Sequence, residues 1–105
     1  MATPQAERRR SPRYPYNAPL EIEWGSSVLK VRVTDLSEDG MCIETPDPLW
    51  VGARFAASLA LDPPLQIDGV VRRVEPGRSM GISFVVPSAG DRARISSLLQ
   101  DLRNK

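Results

Sequence analysis

Four arginines, Arg8, Arg9, Arg10 and Arg13, fall within six residues near the start of the chain, with Glu7 the acidic residue beside them. Twenty-two positions after Arg13 comes Asp35-Leu36-Ser37-Glu38-Asp39-Gly40. Arginine presents a flat fork of donors that matches phosphate oxygens and also the O6/N7 edge of guanine. An ionised aspartate only accepts hydrogen bonds, so it complements the N–H donors on guanine's Watson–Crick edge. A serine hydroxyl can donate to a phosphate or accept from an amine, and glycine lets a backbone come close to a ligand or turn through positive φ. Together the two segments supply what a small ligand needs if it is anionic at one end and guanine-like at the other. Taken singly, each has a plainer meaning. Asp-x-Ser-x-x-Gly is a set of turn formers, and an arginine run in a tail is ordinarily a solvated segment.

Prolines decide how the arginines are presented. Pro12 lies inside the cluster, and Pro15 and Pro19 follow. A proline within a helix costs roughly 3 kcal/mol, and it biases the preceding residue towards extended geometry. Arg9 and Arg13 are therefore not an i,i+4 helical pair. On an extended chain their Cα atoms stand up to roughly 13 Å apart, a span suited to embracing a ligand. Ordering a free tail costs roughly 1–2 kcal/mol per residue, against roughly 1.5–3 kcal/mol for each charge-assisted hydrogen bond. The arginines thus need a pre-formed partner surface, which the Asp35–Gly40 turn provides, and Pro12 and Pro15 reduce the ordering cost.

The elements that position these groups are read from periodicity. Leu20, Ile22 and Trp24 alternate with Glu21 and Glu23 as a half-buried strand. Leu29, Val31 and Val33 make a second strand, and Met41 to Glu44 a third. Phe55 to Leu61 and Ile67 to Val74 read as the fourth and fifth, and Met80 to Val86 as the sixth. Turns fall at Gly25-Ser26-Ser27, Ser37 to Gly40 and Glu75-Pro76-Gly77-Arg78. Ile95, Leu98, Leu99 and Leu102 change the period to that of an amphipathic helix over about 90–103, with Asp91 near its start. The expected fold is all-β with a C-terminal helix: six short strands in a small antiparallel barrel or sandwich over 20–86, an arginine-rich segment over 8–19 and an unstructured stretch over 1–7. Trp24 and Trp50 are expected in the core, Trp50 as a plug at one end, and Cys42 as a small buried residue. Arg72 and Arg73 cannot both face inwards. By alternation Asp35 and Ser37 share the side of Val31 and Val33, so they sit at the barrel rim unless a bulge re-aims them.

Several function classes are excluded. The chain has 105 residues, enough for one modest core. It has a net charge of +1, one cysteine and no histidine. A zinc site and a histidine-dependent triad are ruled out, and an internal disulfide is impossible. No apolar run reaches the roughly 18 residues of a membrane span. The expected location is the cytoplasm. No nucleophile–base pair or phosphate-binding glycine loop appears, so an enzyme is not expected. A nucleic-acid-binding barrel is disfavoured by an aromatic content of 6%.

Arg9-x-x-x-Arg13 followed by Asp35-x-Ser37-x-x-Gly40 on this strand pattern resembles the PilZ family. The likeness extends through Gly69 to Val74, Gly81-Ile82-Ser83-Phe84 and the closing helix. The resemblance implies a PilZ-like barrel that binds the bacterial second messenger cyclic di-GMP and needs no other cofactor or metal. Arg9 and Arg13 would hold phosphates and one guanine edge, Asp35 and Ser37 the other guanine, and Gly40 would permit the turn. Arg8 stands where, in the family, an arginine goes with an intercalated ligand dimer. Arg10 could join it, and Arg78 is a weaker candidate. The implied role is a single-domain receptor or adaptor. It would relay the signal to an effector protein by ordering its N-terminal arm, in motility, exopolysaccharide or transcriptional machinery. The rival readings are a small barrel that binds nucleic acid through the basic tail and a PilZ-like adaptor without ligand.

Overall fold

A computed structural model describes residues 12–85 and 88–104. The expected unstructured stretch 1–7, the arginines Arg8, Arg9 and Arg10, and Val86 of the expected sixth strand lie outside the described residues. The strands are β1 (Tyr14–Trp24), β2 (Ser27–Leu36), β3 (Gly40–Glu44), β4 (Arg54–Leu59), β5 (Leu65–Glu75) and β6 (Ser79–Phe84), followed by helix α1 (Ala89–Arg103). They close into an antiparallel barrel in the order β1-β2-β3-β6-β5-β4. Periodicity allowed a barrel or a sandwich; the six-stranded antiparallel barrel with a C-terminal helix that the family resemblance implies is the fold observed.

Alternation along each strand sends one set of side chains inwards. Leu20, Ile22, Val33, Ile43, Leu59 and Val71 are among the fully enclosed ones. Gly69 belongs to this inner set. A β carbon there would stand 2.7 Å from Ile82 Cγ2 and 3.0 Å from the Phe55 ring, so its absence makes room for both.

Three expectations are corrected. β1 begins at Tyr14 and not at Leu20, so residues 14–19 belong to the barrel wall. The prolines are tolerated within the strand because β4 pairs only with Leu20 to Glu23 of β1. Pro15 and Pro19 lie on the stretch paired to β2 alone, opposite Asp35 and Arg32. Trp24 and Trp50 are not core: they are 36% and 58% exposed. The barrel ends before the alternation of β1 does, and the two indoles meet edge to face, centroids 4.9 Å apart, at the β1–β2 hairpin end. Cys42 is half-buried because its neighbours Met41 and Ile43 take the inward positions.

Helix α1 packs on β1 and β5. Ser88 caps it by accepting from the Asp91 amide at 3.1 Å, and Asp91 lies in the first turn, where a negative charge suits the helix dipole. Ile95 and Leu99 enter the core, with Leu98 and Leu102 partly buried beside them. Arg94 ties the helix to the β4–β5 connection by donating to the carbonyls of Pro63 and Pro64. Among the described residues no helix is long and apolar enough to cross a membrane. If α1 completes the core, Leu99→Ala should destabilise the fold by roughly 2–5 kcal/mol, read as a lowered urea midpoint with an unchanged slope.

Candidate functional site

The Asp35–Gly40 segment forms the corner between β2 and β3, at the end of β2 remote from the tryptophans. Strict alternation cannot place Val33 and Leu36 both inside, yet both are buried. A bulge resolves the conflict. Val33 pairs with Ile43 and Asp35 with Cys42, leaving Thr34 as the extra residue on β2. The carboxylate of Asp35 is thereby turned to the outer wall. A second irregularity sits alongside on β1, where Pro15 faces Asp35 and Ala18 faces Val33.

The three motif residues of the corner divide the work. Asp35 is the outward group. Ser37 is 4% exposed. Its hydroxyl accepts from the amides of Gly40 (3.1 Å) and Asp39 (3.3 Å) and lies 3.2 Å from the Gly40 carbonyl, to which it donates. The Ser37 amide closes the same turn onto the Gly40 carbonyl at 2.9 Å. In this structure Ser37 therefore holds the turn. Gly40 is needed for a reason other than the expected one. It is not among the glycines with positive φ, which are Gly25, Gly52 and Gly77. Instead a β carbon on Gly40 would stand 1.9 Å from the Ile82 carbonyl oxygen, so this position is closed to any side chain by β6.

The arm meets the corner at Arg13. Its Nε lies 3.5 Å from Asp35 Oδ1, with the two side chains 44% and 32% exposed. A partly exposed pair of this kind contributes only about 0–1 kcal/mol to stability, so it is not what holds the fold. Asp35 Oδ1 is itself shielded from solvent and accepts no hydrogen bond among the described residues; the contact with Arg13 is too long to count as one. A shielded acceptor without a donor is uncommon and marks this atom as one suited to receive an N–H. Close by, burial raises the phenol of Tyr16 above its ordinary value.

Arg13, Asp35, Ser37 and Gly40 are thus brought together, while Arg8, Arg9 and Arg10 lie outside the described residues. Arg78 is not brought to the corner. It precedes Ser79, which pairs with Glu44, whereas the corner residue Gly40 pairs with Ser83. Four residues of strand separate the two pairs, roughly 13 Å. Periodicity also missed a row of outward positions beside Asp35, namely Cys42, Gly81 and Arg73. Only the adjacent Arg72-Arg73, incompatible with alternation, hinted at it. Among the described residues no cluster suits a metal ion.

The PilZ domain family model matches residues 7–101. Among solved structures, the chain is similar to the PilZ domain of YcgR from Escherichia coli with c-di-GMP: 21% identity, TM-score 0.77, covering 92% of each chain. It is similar to the inhibitor of motility MotI/DgrA from Bacillus subtilis at 19% identity and TM-score 0.77, covering 93% of this chain and 52% of that one. It is also similar to the K. pneumonia MrkH–c-di-GMP complex at 23% identity and TM-score 0.75, covering 93% and 56%. The chain thus spans little more than half the length of the latter two. No curated protein matches it.

The division of labour at the corner has a measurable consequence. Gly40→Ala should destabilise the barrel by about 3 kcal/mol or more, since the clash is with backbone. Ser37→Ala should cost about 1–2 kcal/mol through the lost turn hydrogen bonds. Urea unfolding of both variants checks the order, and equal effects would contradict the packing argument for Gly40.

Proposed function

The chain belongs to the PilZ domain family, and on that premise we propose that it is a receptor for cyclic di-GMP. The observation that carries the reading is the approach of Arg13 to Asp35, 3.5 Å apart at one corner of the barrel. A cation from the arm and an acceptor from the β2–β3 turn flank the same point. Asp35, whose Oδ1 has no hydrogen-bond donor among the described residues, accepts the N–H groups of a guanine. Arg13, together with Arg9 upstream, takes phosphate oxygens and a guanine edge. Ser37 and Gly40 contribute by fixing the corner.

No catalysis is assigned to this site. Ligand entering beside Asp35 draws the arginine arm across the corner and creates a surface read by an effector protein. Two relatives show the kinds of output such a module serves: MotI/DgrA is named as an inhibitor of motility and MrkH as a transcription regulatory factor. A cytoplasmic role in motility or biofilm regulation is the corresponding assignment here. Arg8, directly before the Arg9-x-x-x-Arg13 motif, is assigned to a second, intercalated ligand molecule.

Calorimetric titration with cyclic di-GMP tests the reading. Arg9→Ala, Arg13→Ala and Asp35→Ala should each weaken binding at least about ten- to hundredfold, the equivalent of one charge-assisted hydrogen bond. The melting temperature of the Asp35 variant should move little, because the ion pair is partly exposed. Undiminished binding by Asp35→Ala, accompanied by a steeply salt-dependent affinity for long RNA, would favour the nucleic-acid reading instead.

A further inference from the structure

Two bulges bracket the β3–β6 pair. On β2 the extra residue is Thr34, between Val33 and Asp35. On β5, Val71 pairs with Ile82 and Arg73 with Gly81, so the extra residue is Arg72. Cys42 in turn pairs with Gly81. Asp35, Cys42, Gly81 and Arg73 therefore form one continuous row across four neighbouring strands. The row on one side, Leu36, Met41, Ile82 and Val71, is buried, and so are Val33, Ile43 and Met80 of the row on the other side. Alternation then makes the Asp35–Arg73 row an outward one. Each bulge delivers a charged residue to one end of it.

The two residues in the middle of the row add little bulk of their own. Gly81 has no side chain, and Cys42 is small and half-buried. The Arg73 side chain leans across the gap: a β carbon on Gly81 would stand 3.7 Å from Arg73 Cβ, 3.9 Å from its Nε and 4.0 Å from Nη2. Two strand spacings separate Asp35 from Gly81, roughly 10 Å from backbone to backbone. The result is a flat floor with an acceptor at one side and a guanidinium at the other. Arg72, by contrast, is engaged with the protein, its Nε lying 3.3 Å from Ser83 Oγ.

Resting on the receptor reading above, we propose that Arg73 is the residue that selects guanine at this site. A guanine lying over Cys42, beside the guanidinium that leans over Gly81, presents its N–H donors to Asp35 and its O6/N7 edge to the Arg73 fork. Adenine fails at both sides: its exocyclic amine is a donor where guanine has O6, and its N1 carries no hydrogen for the carboxylate. Gly81, with no side chain of its own, leaves the Arg73 fork free to lie there.

The test is a titration of wild type, Asp35→Ala, Arg72→Ala, Arg73→Ala and Arg73→Lys with cyclic di-GMP and with cyclic di-AMP. Arg73→Ala should weaken cyclic di-GMP binding about ten- to hundredfold and shrink the guanine-over-adenine preference by a similar factor. Lysine should not restore the preference, because it lacks the planar fork, and Arg72→Ala should stay within about threefold of wild type. Arg73→Ala that binds as wild type while Asp35→Ala does not would overturn this inference and leave the receptor reading standing. Wild type that ignores cyclic di-GMP would overturn both.

Discussion

A β-strand has two faces, and β2 has to satisfy both within four residues. Val33 and Leu36 must enter the core, and Asp35 between them must reach the outer wall. Odd spacing between two inward residues is incompatible with a regular pleat. The bulge at Thr34 absorbs the mismatch, and the rest of the site follows from it. Once Asp35 is turned outwards beside Pro15, Arg13, two residues before Pro15, comes within reach of its carboxylate. Had the strand stayed regular, one of the large aliphatic side chains would have been pushed into water at a loss of about 1.5–3 kcal/mol.

The Asp-x-Ser-x-x-Gly segment shows why a recognition motif contains residues that need not face a ligand. Ser37 is buried with its hydroxyl at the centre of the turn, and Gly40 is squeezed against the Ile82 carbonyl. Both fix the direction in which Asp35 leaves the wall. A carboxylate on a mobile loop would have to be ordered by the ligand at about 1–2 kcal/mol per residue, comparable to the hydrogen bond it makes. On this corner the ordering is done when the barrel folds.

Much of the architecture was legible in the sequence because period two and period 3.6 leave different patterns of apolar residues. The strands from Leu29 to Phe84 and the helix from Ala89 to Arg103 follow them closely. What escaped has particular causes. β1 was started at Leu20, where the apolar alternation begins, because a sequence does not show that Pro15 and Pro19 lie on a part of the strand that pairs on one side only. Trp24 continues the alternation of Leu20 and Ile22 beyond the point where there is core left to fill, so periodicity placed it inside and the barrel rim left it 36% exposed. Gly40 was read for its backbone freedom, whereas its requirement comes from a strand more than forty residues away in sequence. That the arginine segment and the Asp35 turn belong to one site was an expectation from their chemistry, but the direct contact of Arg13 with Asp35 was not part of it. Arg73 was not, since a bulge moves residues between faces without leaving a mark in composition.

The register also grades the cations by how much of their placement the fold provides. Tyr14 is paired with Leu36 and Pro15 with Asp35, so Arg13 is attached directly to a strand whose position relative to the corner is already set. Arg73 is held in the same way from the other side, on a strand paired to β6 through Gly81. These two guanidinium groups stand on either side of the Asp35 carboxylate, one within 3.5 Å and one leaning over Gly81. Arg9 stands four residues upstream of Arg13, outside the described residues. On the proposed reading, a site built this way separates recognition from signalling: the barrel-held groups would decide which base fits, and the arm would supply the part of the binding energy that is coupled to a change of shape.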